Sequence, residues 1–205
     1  MQITRHVVGT IETNSWIIQS RGEALLIDPG AEDAALLESV SGLNLVAVVL
    51  THGHVDHIAG ITPFVRRGIP ICIGEGDAAA LGDPRLNLSV WLGTPLSVPG
   101  CVPRILGAGE TVTVGDCVFT VCELPGHSPG SIGLVGGGHC FSGDVLFRGS
   151  VGRTDLPGGD FPVLERSILG TLYTLPGDTI VHPGHGEDTT IKIEQQSNPY
   201  CALGR

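Results

Sequence analysis

The sequence predicts an α/β (α+β) fold, a four-layer αββα sandwich formed as a single domain over residues 1–205. Three observations lead there. Each half of the chain opens with short apolar runs joined by glycine turns and then passes to strand–helix units, a pattern met by two sheets packed face to face with helices outside. A content of 41% hydrophobic residues with 31 glycines describes a globular, loop-rich chain able to bury a large core. Aromatic residues are only 4% of the chain, so that core must be built from Val, Leu, Ile and Ala.

Ser15–Gln19 and Ala24–Ile27 flank Ser20-Arg21-Gly22-Glu23, a hairpin signal. Asp28-Pro29-Gly30 ends the second strand in a turn. Ala31–Val40 reads as a helix with Leu36, Leu37 and Val40 inward, stopped by Ser41-Gly42. Leu45–Leu50 is a continuous apolar run and reads as a buried strand. Ile58, Ile61, Phe64 and Val65 then fall at helical spacing, with Gly68 closing the helix. Pro70–Ile73 is a short strand, and Asp77–Leu81 is one or two helical turns.

From Gly82 to Gly109, Pro84, Pro95, Pro99 and Pro103 interrupt any periodicity. This reads as a long irregular segment with Trp91 as its only large anchor: a lid or binding loop, or a plain surface excursion. Thr111–Val114 and Val118–Glu123 form a hairpin about Gly115-Asp116, and Ser131–Val135 and Cys140–Ser142 a second about Gly136-Gly137-Gly138. Phe161–Leu172 reads as a helix capped by Asp160, with Leu164, Ile168 and Leu172 on one face. Thr179–His182 is the last strand.

A formal net charge of -10 and the lack of any basic run argue against a nucleic-acid surface or an anionic membrane partner. The stretch Met1–Val8 lacks the apolar core and cleavage site of a signal peptide, and no apolar run reaches membrane-spanning length. The six cysteines show no C-x-x-C pair and read as reduced, mostly buried residues. Together these set the expectation of a cytoplasmic protein.

The chemistry concentrates directly after Leu45–Leu50. In Thr51-His52-Gly53-His54-Val55-Asp56-His57, three of the eight histidines and one carboxylate fall within six residues. A loop leaving a buried strand can aim several side chains at one point, and imidazole and carboxylate are ligands for zinc or iron. His127 in Pro125-Gly126-His127-Ser128, Asp144 in Ser142-Gly143-Asp144 and His185 in Pro183-Gly184-His185-Gly186 stand in similar loops, each just after a strand. Glycines beside each allow a sharp turn and a close backbone approach. Five histidines and two aspartates are enough for two metal ions.

These motifs resemble those of the metallo-β-lactamase-fold hydrolases, and within them the glyoxalase II-like (hydroxyacylglutathione hydrolase-like) branch. The Thr-His-x-His-x-Asp-His motif is complete at Thr51–His57, Gly126-His127, Gly143-Asp144 and Pro183–Gly186 match the later ones, and Gly143–Asp160 has the look of that branch. The resemblance covers nearly the whole chain. It implies one divalent metal ion on His52, His54 and His127 and a second on Asp56, His57 and His185, with Asp144 bridging. The ions would be zinc, with iron or manganese as alternatives. It also implies a small-molecule thioester substrate, attacked at its carbonyl by a hydroxide shared between the ions, with Asp56 and Asp144 as the catalytic carboxylates. Asp144 sets the chain apart from the true β-lactamases, which lack a bridging aspartate at this place. Arg153 stands where glutathione-specific members carry a cation for the thiol carrier's carboxylate, with Arg148 nearby; the plain alternative for Arg153 is a loop anchor.

Two departures from the branch are expected to matter for substrate: Ser131 stands where many relatives carry a further histidine, and the helical domain completing the glutathione site does not follow Asn198-Pro199-Tyr200. His6, His139 and His182 match no ligand motif and read as structural. The competing readings are a mononuclear iron persulfide dioxygenase on the same fold and a non-catalytic metal-binding protein.

Overall fold

The apolar run after Asn44 becomes the third-from-edge strand of a six-stranded sheet in a computed structural model that describes residues 1–203. That sheet has the order β1 (Gln2–Val8), β2 (Thr13–Ser20), β3 (Glu23–Ile27), β4 (Asn44–Val49), β5 (Ile71–Ile73) and β6 (Arg104–Ile105). Its first three strands are antiparallel meanders, and β3 through β6 run parallel. Between them lie α1 (Ala34–Ser39), α2 (Val55–Ile58), α3 (Thr62–Arg66) and 3-10 turns at Glu75–Leu81 and Ser89–Leu92.

The second sheet is built from β7 (Thr111–Val114), β8 (Cys117–Glu123), β9 (Ile132–Gly136), β10 (His139–Gly143), β13 (Ile180–Pro183) and β14 (Thr189–Thr190), in the order β14-β13-β10-β9-β8-β7. A small ribbon of β11 (Leu146–Phe147) and β12 (Ser150–Val151), then α4 (Phe161–Gly170), connect β10 to the parallel β13. Helix α5 (Ile191–Ser197) is the last helix among the described residues.

Side-chain alternation fixes the layers. Along β2 and β3, Trp16, Ile18, Leu25 and Ile27 face the second sheet and meet Phe119, Val121, Leu134 and Phe141. Their neighbours Ile17, Ala24 and Leu26 face the other way, onto Leu36, Ile58 and Phe64 of the helices. Cys140 and Val181 of the second sheet pack outward on Leu164, Ile168 and Ile191. The order is therefore helix, sheet, sheet, helix, as the pattern of short strands implies.

The turns obey local chemistry. Arg21 and Gly22 both take positive φ in the β2–β3 hairpin, as do Gly137 and Gly138 between β9 and β10, the geometry that two-residue hairpins require. Asp160 caps α4 by accepting from Val163 N.

Several expectations need correction. The helix expected from Ala31 starts only at Ala34, because Asp33 is its N-cap. The continuous helix over Ile58–Val65 is two pieces: Pro63 lacks the N–H a continuing helix would need and so opens a new one. Leu172 lies beyond α4, in a 3-10 turn. Gly82–Gly109 holds a 3-10 turn and the edge strand β6, and Trp91 is exposed, so it anchors nothing. The strand β1 and the helix α5 went unread. No helix among the described residues is long and apolar enough to cross a membrane.

Candidate metal centre

All the ligand loops leave strand ends at one edge of the sandwich: residues 51–57 after β4, His127 after β8, Asp144 after β10 and His185 after β13. Thr51 O accepts from Ile132 N, which ties the two sheets together at this edge. The last loop is seated by the first sheet. Asn14 donates from its backbone to Gly184 O and from its amide to Pro183 O and Gly186 O, Trp16 Nε1 reaches Pro183 O, and Thr13 bridges to His185.

His52 Nε2, His54 Nδ1 and His127 Nε2 converge, separated by 3.0, 2.9 and 3.2 Å. Bonds of about 2.0 Å at tetrahedral angles would set such nitrogens about 3.3 Å apart, so the trio fits one ion with little adjustment. In the second group His57 Nε2 lies 3.6 Å from Asp56 Oδ2, and His185 Nε2 lies 3.2 Å from the same oxygen. Asp144 faces both groups: its Oδ1 is 3.4 Å from His57 Nε2, and its Oδ2 is 3.5 Å from His185 Nε2 and 3.7 Å from His127 Nε2. His57 Nε2 and Asp144 Oδ1 are buried with no hydrogen-bond partner. Orphaned polar atoms at the centre of a ring of donors are what a metal ion satisfies. All seven ligand candidates are thus brought together, and the set fits two ions.

The remaining ring nitrogens explain why the lone pairs point inward. His57 Nδ1 donates to Asp28 Oδ2, His127 Nδ1 to Arg153 O, and His185 Nδ1 to Glu12 O. His52 Nδ1 donates to Thr51 Oγ1, whose own proton goes to Asp28 Oδ2. Each acceptor fixes a tautomer with Nε2 free for a metal. His54 is the exception and offers Nδ1.

Two aspartates that the sequence reading left unassigned carry this frame. Asp28 is buried at the end of β3 with φ 49°, a backbone region that Asp tolerates better than most residues, and it accepts from Thr51 N, Thr51 Oγ1 and His57 Nδ1. Asp77, in the 3-10 turn after β5, accepts from Gly53 N at 2.9 Å, Ser128 Oγ at 2.6 Å and Gly130 N at 2.8 Å. One carboxylate therefore clamps the loop of His52 and His54 to the loop of His127. Ser131 joins this network through Ser128. Gly130 must be glycine, since a Cβ there would stand 2.2 Å from Asp77 N. The available signal was position: both aspartates follow parallel strands flanking β4, at the edge where the ligands gather.

Asp77→Ala would leave three buried donors without an acceptor. It is expected to cost about 3 kcal/mol in urea unfolding of the metal-free chain and to weaken metal at the three-histidine group. Unfolding within about 0.5 kcal/mol of the parent would refute the clamp.

Electrostatics divide the centre in two. Burial, then the neighbouring imidazoles, lower His52, and burial and His127 lower His54 to about 4, so these two rings are neutral and ready to ligate. Burial works against charge on His57 as well, yet Asp144, Asp28 and Asp56 outweigh it and raise its pKa. Burial opposes ionisation of Asp56 and Asp144, but His57 and His185 hold both below the usual carboxylate range. The second group therefore pairs ionised carboxylates with imidazoles whose positive charge they favour, a charge that a bound cation would take over.

The centre opens into a cavity of about 340 Å³ floored by His54, Asp56, His127, Asp144 and His185. Ile11, Leu88, Trp91, Leu92 and Leu156 form its apolar wall, and Arg153 stands at its edge. Arg153 is exposed and is paired with Asp155. Arg148 pairs with Glu187 and does not line this cavity. His139 and His182 stack on one another on the second sheet, away from the ligands.

The model of the metallo-beta-lactamase superfamily matches residues 8–185. The chain is 36% identical to the probable metallo-hydrolase YqgX of Bacillus subtilis, with 98% of this chain and 97% of that one covered. It is 35% identical to the hydroxyacylglutathione hydrolase GloC of Haemophilus influenzae, with 91% of each covered. Among solved structures it is similar to the BLEG-1 B3 metallo-beta-lactamase, with a TM-score of 0.91, 37% identity and 97% and 99% of the two chains covered. The di-iron-bound form of TTHA1623 is similar with a TM-score of 0.85, 37% identity and 96% and 99% covered.

Proposed function

The chain belongs to the metallo-beta-lactamase superfamily, and on that premise we propose that it is a two-metal thioester hydrolase of the glyoxalase II-like type. The observation that carries this reading is the place of Asp144, whose two oxygens face the two ligand groups from between them. His52, His54 and His127 would hold one ion, and Asp56, His57 and His185 the other. When bound, the ions supply Lewis acidity, polarising a carbonyl and making water a nucleophile near neutral pH.

The chain's own groups do the rest. Asp56 and Asp144 are held ionised, so they can orient a water molecule by accepting its hydrogen bonds. His54, His127 and His185 form the floor against which a carbonyl is presented. The apolar wall sheds water from that floor, which strengthens every charge interaction within it. A thiolate leaves without help from a strong acid, because its pKa is near 8.5. That suits a cavity whose lining, among the described residues, offers no lysine or tyrosine. The relation to GloC supports the thioester, and the relation to di-iron TTHA1623 supports two ions while keeping iron beside zinc as the metal.

Metal analysis with a thioester panel tests the reading. Two divalent ions per chain are expected, with hydrolysis of a thioester that a chelator abolishes and added metal restores. The panel includes lactoylglutathione, thioesters of other thiols and, because of the likeness to BLEG-1, a β-lactam. One iron per chain with oxygen consumption would replace this reading by the persulfide dioxygenase. Turnover of the β-lactam alone would replace it by a lactamase.

A further inference from the structure

The mouth of the cavity carries three large apolar side chains in water: Trp91 is 63% exposed, Leu92 53% and Ile11 44%. Two come from the 3-10 turn Ser89–Leu92 and one from the β1–β2 connection, so separate parts of the chain bring them to one opening. Exposed apolar groups gathered around a polar floor mark a surface that a ligand covers.

The charge at this mouth is already matched. Arg153 is the one Arg or Lys lining the cavity among the described residues. Asp155 takes its guanidinium with both oxygens, Nε to Oδ1 at 2.7 Å and Nη2 to Oδ2 at 2.8 Å. That is the bidentate geometry in which arginine recognises a carboxylate, filled from within the same loop. An exposed pair of this kind is weak and can open. Opening it for a substrate carboxylate nevertheless exchanges one such pair for another and leaves Asp155 as a free anion beside the ligand. Arg148, the other guanidinium of this loop region, is met by Glu187 through a single contact, Nη1 to Oε2.

Resting on the thioester hydrolase reading, we infer that the site takes thioesters that are apolar and uncharged near the reacting carbonyl, and that Asp155 sets this specificity by occupying Arg153. Glutathione, with two carboxylates, is a poor carrier for it. The apolar mouth supplies affinity, and Asp155 withholds the cation an anionic carrier needs.

The test compares kcat/KM for one acyl group, benzoyl, carried on N-acetylcysteamine and on glutathione. The parent protein is expected to favour the uncharged thioester. Asp155→Ala is expected to shift the ratio toward the glutathione thioester by about fivefold, through KM. Trp91→Ser is expected to lower kcat/KM for the uncharged thioester by about tenfold, again through KM. A parent that favours the glutathione thioester, or a ratio unmoved by Asp155→Ala, overturns the inference and leaves the hydrolase reading standing. Absence of turnover on both thioesters by protein carrying two ions per chain sinks both.

Discussion

Asp144→Ala is expected to lower turnover about a thousandfold and to reduce the metal content below two ions per chain. The side chain faces both ligand groups, so its loss opens both at once. Gly184 lies against it with no side chain, and a Cβ there would stand only 2.1 Å from Asp144 Oδ1 and 2.7 Å from His57 Cε1. Asp144→Asn keeps the shape and removes the charge, so it separates packing from charge compensation. With the charge gone, His57 loses the largest of the influences that raise its pKa. Full metal content and full turnover in Asp144→Ala would show that the two groups do not share this residue. Circular dichroism and urea unfolding of the same sample establish that the fold persists.

The second large effect concerns stability. Asp28→Ala removes the acceptor for Thr51 N at 2.7 Å, Thr51 Oγ1 at 2.6 Å and His57 Nδ1 at 2.9 Å, all buried. Stranding three buried donors, one of them an imidazole of raised pKa, is expected to cost about 4 kcal/mol. The loss should appear as a lower urea midpoint in metal-free protein. Metal at the Asp56, His57 and His185 group should also weaken about 10- to 100-fold, because nothing then fixes the His57 tautomer. Asp28→Asn tolerates φ 49° and keeps one acceptor, so it should fall between. An Asp28→Ala protein as stable as the parent would show that Thr51 and His57 are held by packing alone.

The fold was legible where structure is set locally. The turns Arg21-Gly22 and Gly137-Gly138 and the cap Asp160 are short-range signals, and each lies where it was read. The double-sided burial of β4 is likewise visible as an unbroken apolar run. What escaped depends on distant partners. β1 carries Thr4, Arg5 and His6 and is an edge strand whose register is set by β2. β6 is two residues long and exists through pairing with β5. Trp91 reads as an anchor because large apolar residues are usually buried, a rule that fails here, where it lines the exposed mouth of a cavity.

The candidate site divides in the same way. The histidine motifs announce metal chemistry because several ligands sit close in sequence. Asp28 and Asp77 look like turn residues beside Pro29 and Gly76, and their partners lie up to 53 residues away. Such supporting residues are found by asking which side chains the sheet order delivers to the edge where β4 ends.

The grip of Asn14 and Trp16 on the Pro183–Gly186 loop has a consequence for biosynthesis. The seat for the last ligand is made early, well before the residue that occupies it is synthesised. Contacts separated by 167 to 172 residues must close before His185 reaches Asp56. Long loop closures of this kind slow folding. A nascent chain carries the His52, His54 and His127 trio well before it can complete the other group. On the two-metal reading proposed above, the ligands of the first group are therefore complete before those of the second, whose His185 loop is held by Asn14 and Trp16.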